Sequence, residues 1–125
     1  MIMKKEIIDL LNDQTASKVL ATVDSEGIPN VVPKGSISAI DDKTVVFADI
    51  FGDKTNKNLE ETKRAAIAVF KQGKGYQLKG TFKEFQKSGS IFDKYSKMIK
   101  SGMGKDIKSV GIIQIEEIFD LTPKF

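Results

Sequence analysis

The segment from Asp53 to Leu59 carries the side chains in this sequence that are best suited to binding an anion. It reads Asp-Lys-Thr-Asn-Lys-Asn-Leu, which offers two ammonium groups, one hydroxyl and two amides. Glu60 and Glu61 follow, and this order predicts a helix over 55–61 with a threonine or asparagine cap. The first N–H groups of a helix have no partner within it, and the helix dipole adds positive charge there. The pattern is typical of a monophosphate site, and a capped helix with solvent-facing lysines is the competing interpretation.

The stretch from Pro29 to Ser36 is a second candidate for ligand binding. It reads Pro-Asn-Val-Val-Pro-Lys-Gly-Ser, and its two prolines have no N–H to donate to a neighbouring strand. Gly35 permits close approach by another group because it has no side chain. Backbone groups left unpaired here are able to bind a flat heterocycle. An irregular edge strand is the alternative interpretation.

Other short motifs fit turns better than sites. Residues 73–75 lack the third glycine of a dinucleotide fingerprint, and residues 102–105 lack the spacing of a phosphate-binding P-loop. The acidic pair Asp41-Asp42 lies in a predicted turn, and the side chains of Glu116-Glu117 point to opposite faces of a regular strand. Neither pair is arranged to hold a cation. We therefore predict no metal site.

The amino-acid composition excludes several classes of chemistry. The chain has no Cys, His or Trp, which removes thiol redox centres, histidine-dependent triads and histidine-ligated zinc or haem. Redox chemistry would therefore need a bound organic cofactor. The net charge is only +3 and Arg64 is the single arginine, which disfavours nucleic-acid recognition. The start of the chain has no apolar signal core and the longest apolar run, 65–70, is too short to span a membrane, so we expect a cytoplasmic protein.

The hydrophobic pattern predicts a small barrel. A length of 125 residues is typical of one domain, here residues 1–125. Helical spacing predicts helices over 3–12, 55–61 and 88–101. Short β-rich runs predict six strands, over 19–23, 28–40, 44–49, 65–71, 76–85 and 110–121. Strands with helices too short for repeated βαβ units indicate a mainly β (α+β) protein, a six-stranded antiparallel barrel flanked by two or three short helices.

Three further expectations concern the strands. The first three should form an antiparallel meander. The continuous apolar run at 65–71 predicts burial on both faces of that strand. The alternation of apolar residues slips by one at Phe85 and again around Glu116-Glu117, and each slip predicts a bulge.

The order of these motifs resembles the FMN-binding split barrels of the pyridoxamine 5′-phosphate oxidase-like superfamily, and the small FMN-binding proteins most closely. The likeness covers roughly residues 4–122. It consists of a helix, a hairpin with Gly-x-Pro in its turn, a strand, a Lys-Thr-x-x-Asn-Leu helix, an apolar strand and then Leu78-Lys79-Gly80-Thr81. The resemblance implies a split β-barrel with Greek-key character and FMN as cofactor. It also implies a homodimer with the flavin at the subunit interface.

The resemblance further implies roles for particular residues, none of which need act as an acid, base or nucleophile. Lys54 and Thr55 would bind the FMN phosphate, with Asn58 ordering that turn. Three other sets would contact the flavin: Pro33, Lys34, Gly35 and Ser36 beside the ribityl chain and ring; the backbone of Ala48, Asp49 and Ile50 at the flavin edge; and Gln77, Lys79 and the last strand from the neighbouring subunit. A lysine near the ring, Lys34 or Lys79, would stabilise negative charge on the reduced flavin.

The implied function is that of a redox flavoprotein, either an electron carrier or an NAD(P)H-linked flavin oxidoreductase. Oxidation of pyridoxamine phosphate is disfavoured, because the Arg and His residues that hold the substrate in the true oxidases are not available in a chain without His and with one Arg. Haem-degrading relatives usually need a His ligand, which is also missing. The alternatives are a deazaflavin-dependent reductase, a flavin-poor split-barrel sensor or interaction module, and an oligonucleotide-binding barrel.

Overall fold

The computed structural model describes residues 2–123, which form three helices and seven strands. In chain order these are α1 (Lys5–Leu11), β1 (Ser17–Val23), β2 (Pro29–Pro33), β3 (Ser38–Ala39), β4 (Thr44–Asp49), α2 (Lys54–Thr62), β5 (Arg64–Lys71), β6 (Lys74–Gln86), α3 (Ser90–Met103) and β7 (Ser109–Asp120). All three predicted helices are present. The expected mainly β composition is confirmed.

The strands form one antiparallel sheet in the order β2-β1-β5-β6-β7-β4-β3. The pairs β1–β5 and β4–β7 join strands that are distant in the sequence. One face of the sheet supplies the main core, to which Leu20, Phe47, Ile67, Leu78 and Ile113 each come from a different strand. Because these side chains meet in one cluster, the sheet must curl around them. The predicted split-barrel type is confirmed.

The predicted strand over 28–40 is in fact two strands, so the sheet has seven strands rather than six. β2 ends at Pro33, which has no N–H with which to continue a ladder. β2 and β3 lie at opposite edges of the sheet, and residues 34–37 connect these two edges. The two antiparallel pairings of the expected meander are confirmed, because β1 pairs with β2 and β3 pairs with β4. The meander itself is wrong, because its middle strand is divided between opposite edges of the sheet.

The expectation that β5 is buried on both faces is also wrong. Ala65, Ile67 and Val69 point into the core, whereas Ala66 and Ala68 are only half-buried on the opposite face. Alanine is small and apolar, so an unbroken apolar run does not distinguish a strand covered on both sides from one that presents small side chains outward.

Both predicted bulges are present where β6 pairs with β7. Lys79 pairs with Glu117 and Gly80 with Ile115, which leaves Glu116 as an extra residue on β7. A second shift in register, between Phe82 and Glu84, accounts for the slip in alternation before Phe85. Bulges of this kind bend a sheet and help it to close.

α2 and α3 pack on different strands, α2 mainly on β1 and α3 on β4 and β7. α2 begins at Lys54, so Asp53 is the N-cap residue and the expected threonine or asparagine cap is wrong. Within residues 2–123, the Asp53 side chain makes no cap hydrogen bond. α3 packs through Tyr95 on a second apolar cluster that includes Val46, Ala48 and Val110. Among residues 2–123, no helix is both long enough and apolar enough to cross a membrane.

Candidate functional site

Four polar side chains join the first part of α2 to strands β1 and β2. The amide of Asn30 donates to the hydroxyl oxygens of Thr22 (3.4 Å) and Thr55 (3.2 Å). The amide of Asn58 donates to Thr22 Oγ1 at 3.1 Å. Thr22, Thr55 and Asn58 are all buried. Because an unpaired buried polar group costs about 1–3 kcal/mol, these mutual bonds fix the start of α2 against the edge of the barrel.

The first turn of α2 presents donors for an anion. Lys54 occupies the first helical position and is exposed. Asp53 makes no side-chain cap bond, and in the described part of the chain the first-turn N–H groups have no side-chain acceptor. Thr55 accepts from Asn30, and its own O–H has no acceptor among residues 2–123. The structure thus brings together Lys54, Thr55 and Asn58 as expected, in an arrangement able to hold a phosphate.

Asp49 orders the turn that leads into α2. Its buried carboxylate accepts hydrogen bonds from the N–H of Gly52 (2.8 Å), the amide of Asn56 (2.8 Å) and the hydroxyl of Ser109 (3.2 Å). Its backbone carbonyl accepts from the N–H of Lys108 at 2.7 Å. The carboxylate therefore has a structural role. The prediction from sequence concerned only the backbone of Asp49, at the flavin edge, and did not include this role.

Residues 34–37 are anchored to β4 where they pass between the two edges of the sheet. The hydroxyl of Ser36 accepts a hydrogen bond from the backbone N–H of Ala48 at 3.0 Å. The Lys34 ammonium lies 5.4 Å from the centre of the Phe47 ring, and this side chain is half-buried. Burial lowers the pKa of Lys34, and the negative charge of Asp49 partly opposes that shift.

Gly35 and Ile50 complete the set that was predicted beside the flavin. A Cβ atom built on Gly35 would meet no atom of residues 2–123 within 4 Å, so packing against these residues does not require glycine at that position. That leaves room for close approach by another group. Ile50 is half-buried and packs against the cluster beneath α3.

Pro33, Gln77 and Lys79 lie on the convex face of the sheet, which we call the outer sheet face. The pairing register aligns two rows of outward-facing residues on it: Pro33, Val19, Ala68, Gln77 and Phe119, and beside them Val31, Ala21, Ala66, Lys79 and Glu117. A groove of about 520 Å³ crosses this face near Ala66 and Lys79. The sheet separates these residues from the start of α2, so one chain alone does not bring the two predicted sets together.

The prediction from sequence missed Lys18, Thr22 and Asn30. The buried ammonium of Lys18 donates to the carbonyl of Ile37 at 2.9 Å and so ties residues 34–37 to β1. Burial lowers the pKa of Lys18, and the charge of Asp13 opposes this. Lys18 and Thr22 share the parity of Leu20 along β1, so a polar residue at a core-facing position was the available signal. Among residues 2–123, no group of three or more acidic side chains is placed to hold a metal ion.

Comparison with known proteins identifies the family. The sequence profile of the family described as pyridoxamine 5′-phosphate oxidase matches residues 3–123. The solved structure of HupZ from Group A Streptococcus is 34% identical, covers 97% of this chain and 95% of its own, and has a TM-score of 0.84. An FMN-binding protein from Syntrophomonas wolfei is 22% identical, with coverages of 97% and 90% and a TM-score of 0.85. HutZ, a haem storage protein from Vibrio cholerae, is 17% identical, with coverages of 96% and 95% and a TM-score of 0.67.

No sequence in the curated set of proteins matches this chain. The last two structures, at below 25% identity, share the fold. The family profile spans nearly the whole sequence, and HupZ is similar over nearly the whole of both chains. The resemblance deduced from the motifs is thus confirmed, and the chain belongs to the pyridoxamine 5′-phosphate oxidase family.

Proposed function

We propose that this protein binds FMN and acts as a redox flavoprotein, either as an electron carrier or as an NAD(P)H-linked flavin oxidoreductase. The observation that carries the proposal is the uncapped first turn of α2, where the exposed Lys54 adjoins the hydroxyl of Thr55. Free backbone N–H groups, a helix dipole and an ammonium group together favour a phosphate monoester. The shared fold of the Syntrophomonas wolfei FMN-binding protein supports the same class of cofactor.

The residues present fit FMN at both of its ends. The phosphate needs several donors, and the first turn of α2 supplies them from backbone and side chain. The ring needs a flat surface that another group can approach closely, and the exposed Gly35 leaves space for it. FMN supplies reversible redox chemistry when bound. The chain supplies binding, orientation and the charge around the ring.

We further propose that the protein is a homodimer with the flavin at the subunit interface. Gln77 and Lys79 lie on the outer sheet face, away from the start of α2 in the same chain. That face carries small side chains, with Val31 (65% exposed) and Phe119 (41% exposed) at its margins. An exposed apolar patch of this kind is typical of a protein interface. We propose that the start of α2 from one copy and Lys79 from the other meet across this subunit interface, so that both copies are needed to complete the site.

Of the two lysines predicted near the ring, Lys34 is better placed to stabilise negative charge. Its ammonium is half-buried against Phe47, whereas Lys79 is exposed and lies over the ring of Phe119. A charge acts more strongly on its neighbours where solvent is excluded. We therefore propose that Lys34 tunes the flavin electrostatically.

The phosphate role of Lys54 is tested by titrating FMN and riboflavin into the Lys54→Ala variant. FMN affinity should fall roughly 10- to 150-fold, about 1.5–3 kcal/mol, while riboflavin affinity stays nearly unchanged. Quenching of flavin fluorescence measures both. Lys57→Ala is the matched control, an exposed lysine on the same helix whose loss should affect FMN much less. Equal losses for FMN and riboflavin would contradict the assignment.

The names of other relatives suggest two further ligands, haem for HutZ and a deazaflavin for an F420 reductase with a TM-score of 0.69. Haem iron is usually held by His or Cys, among other ligands, and this sequence has neither. Haemin and FMN titrated side by side should therefore show tighter binding of FMN. If the protein binds no flavin after FMN is added and unbound FMN is removed, the alternative of a split-barrel interaction module would be favoured.

A further inference from the structure

We propose that the solvent-facing side of α3 is the docking surface for an acidic redox protein that exchanges electrons with the bound flavin, an inference that rests on the proposed function. Residues 83–108 contain seven lysines and three acidic residues. This segment therefore carries a net charge of +4, more than the +3 of the whole chain. All seven lysines are exposed. We call the surface formed by Lys94, Lys97 and Lys100 the α3 lysine face.

The inner side of α3 packs against the barrel of the same chain and is not available to a partner. Tyr95 is buried, and the half-buried Ile91, Phe92 and Ile99 pack on the cluster beneath the helix. With 3.6 residues per turn, the three lysines of the α3 lysine face point to the opposite side. The helix therefore covers the barrel with one side, and on the other side it presents three lysines and one acidic residue, Asp93, which leaves a net positive charge.

Two exposed methionines add apolar contact area beside these lysines. Met98 is 45% exposed and Met103 is 58% exposed. Methionine is flexible and adapts to partner surfaces of varied shape. Complementary charge speeds the encounter of two proteins, and a small apolar contact then holds the encounter complex briefly. The pairing of lysine and methionine fits a transient partner.

α3 also adjoins the segment assigned to the flavin. The hydroxyl of Tyr95 on α3 is hydrogen-bonded to the hydroxyl of Ser38 at 2.5 Å, and Ser38 lies two residues after Ser36. Ala48 and Ile50, predicted at the flavin edge, belong to the cluster on which α3 packs. A helix is about 10–12 Å across. A protein docked on the α3 lysine face would thus be separated from the flavin segment by a single helical layer.

The positive surface continues beyond both ends of α3. Lys87 precedes the helix and Lys108 follows it, and both line one cleft of about 490 Å³. The other charged residues of this cleft are Lys63, Lys83, Glu60, Glu84 and Asp49, so lysines exceed acidic residues by one. Asp49, at the end of β4, lines the same cleft. The lysines therefore extend from α3 to the strand end that was predicted to reach the flavin.

The composition of the surface favours an acidic protein over a nucleic acid or a membrane. The segment has no arginine, the residue that makes bidentate contacts to phosphates and bases. A membrane-surface helix inserts its apolar side into the lipid, but here that side is buried against the barrel. An acidic protein needs only the exposed lysines and methionines.

The electron balance is that of an iron–sulfur donor and a flavin acceptor. Each reduced [2Fe–2S] ferredoxin gives up one electron and is oxidised. Two such transfers, with one proton taken from solvent, reduce one FMN by two electrons. No side chain of α3 is required as a proton donor.

Stopped-flow reduction of the FMN-loaded protein by a reduced plant-type [2Fe–2S] ferredoxin, an acidic protein, tests the surface. The K94E/K97E variant should react roughly 10- to 100-fold more slowly than wild type at low salt, because attraction becomes repulsion. The control K4E/K43E makes the same change in charge at exposed positions outside the segment and should lose much less. Added salt should reduce the difference. Equal rates for the two variants would overturn the proposal.

Binding of oxidised ferredoxin to flavin-free protein, measured by calorimetry, separates this proposal from the proposed function. Loss of ferredoxin binding in K94E/K97E but not in K4E/K43E would support the docking surface, whether or not FMN can be loaded. Failure to load FMN would count against the flavoprotein assignment and not against the docking surface. Co-sedimentation with vesicles of phosphatidylcholine and phosphatidylglycerol provides the third arm. Vesicle binding lost in K94E/K97E, with ferredoxin binding unchanged, would overturn the proposal in favour of a lipid surface.

Discussion

The outer sheet face and the α3 lysine face are both left uncovered by this chain, and they differ in almost every physical respect. Small, uncharged side chains form the centre of the first surface, those of Val19, Ala21, Ala66 and Ala68. The second is a helix surface of long, mobile, positively charged side chains. Apolar area supports lasting association through the hydrophobic effect, whereas clustered charge mainly accelerates encounters. These differences support the proposals of a lasting subunit contact on the first surface and of a transient partner on the second.

The two surfaces also differ in how their charges are balanced. On the outer sheet face Lys79 is paired across the strands with Glu117, so opposite charges adjoin. On α3 only Lys100 has an ion-pair partner, Asp106 at 3.4 Å, within residues 2–123. Unbalanced lysines therefore remain on α3, where they are able to attract an acidic surface.

The largest effect is expected from Ala68→Glu, at the centre of the outer sheet face. This substitution tests whether that face is the contact between subunits. A carboxylate at a contact between two copies loses its hydration without gaining a partner, and we expect dimer affinity to fall by about 100-fold or more. FMN should be lost as well, because the partner would no longer complete the site. Sedimentation velocity and flavin absorbance measure the two effects.

Lys97→Glu is the matched control for this prediction, since it adds a carboxylate on the α3 lysine face. It should leave both the dimer and FMN binding unchanged. If Ala68→Glu remains dimeric, the subunit contact lies elsewhere. If Lys97→Glu dissociates the dimer, the roles of the two surfaces have been reversed.

A smaller effect is expected from Thr22→Val, which removes the shared acceptor of Asn30 and Asn58. Two buried amides would lose a partner, and we expect the free energy of unfolding to fall by about 1–3 kcal/mol. FMN affinity should also fall, because the start of α2 would be less well fixed. Urea denaturation and flavin titration are the measurements.

The control for Thr22→Val lies beneath α3, where Ser38→Ala removes one hydroxyl that bonds to Tyr95. That change should lower the free energy of unfolding by about 0.5–1.5 kcal/mol and leave FMN affinity close to that of wild type. Equal losses of FMN affinity in both variants would show that the hydrogen bonds at the start of α2 have no special part in cofactor binding.

The smallest effect concerns Asp13, which lies away from both surfaces. A hydrogen bond from the Lys71 ammonium at 2.8 Å, with further bonds from Thr15, holds the pKa of this carboxyl well below its usual 3.8. A lowered pKa in the folded state adds stability above the unfolded value, and this is lost as the pH falls through the folded value. Asp13→Asn should therefore slightly lower the free energy of unfolding at pH 7. The difference from wild type should shrink as the pH is lowered from 5 towards 2, whereas a constant difference in urea denaturation would contradict the ion-pair explanation.

The sequence predicted features that depend on local order. The slips in alternation at Phe85 and near Glu116 marked both bulges, because a strand has a fixed period of two. The Lys-Thr-x-x-Asn-Leu segment marked the start of α2, since helix starts have recognisable composition. The cap was predicted at a threonine or asparagine, whereas the residue before the helix is Asp53. The family resemblance implied a shared site for Lys54, Thr55 and Asn58, and the structure places all three in the first two turns of α2.

Features that depend on distant contacts were not predicted. Residues 34–37 cross between the two edges of the sheet because the Lys18 ammonium and the Ala48 N–H hold them there, and neither contact can be read from residues 28–40 alone. Thr22 and Asn30 joined the site through bonds to α2, which follows them by more than twenty residues. The outward alanines of β5 were taken as buried because composition does not reveal which face the chain itself covers.

The most direct test of the central claim is sedimentation velocity of the FMN-loaded protein, recorded at both the protein absorbance and the visible flavin absorbance. If FMN is held between two subunits, the flavin should sediment with a species of twice the 13.8 kDa chain mass, at one FMN per chain. Flavin that sediments freely, or with a single chain, would contradict a cofactor held between two subunits.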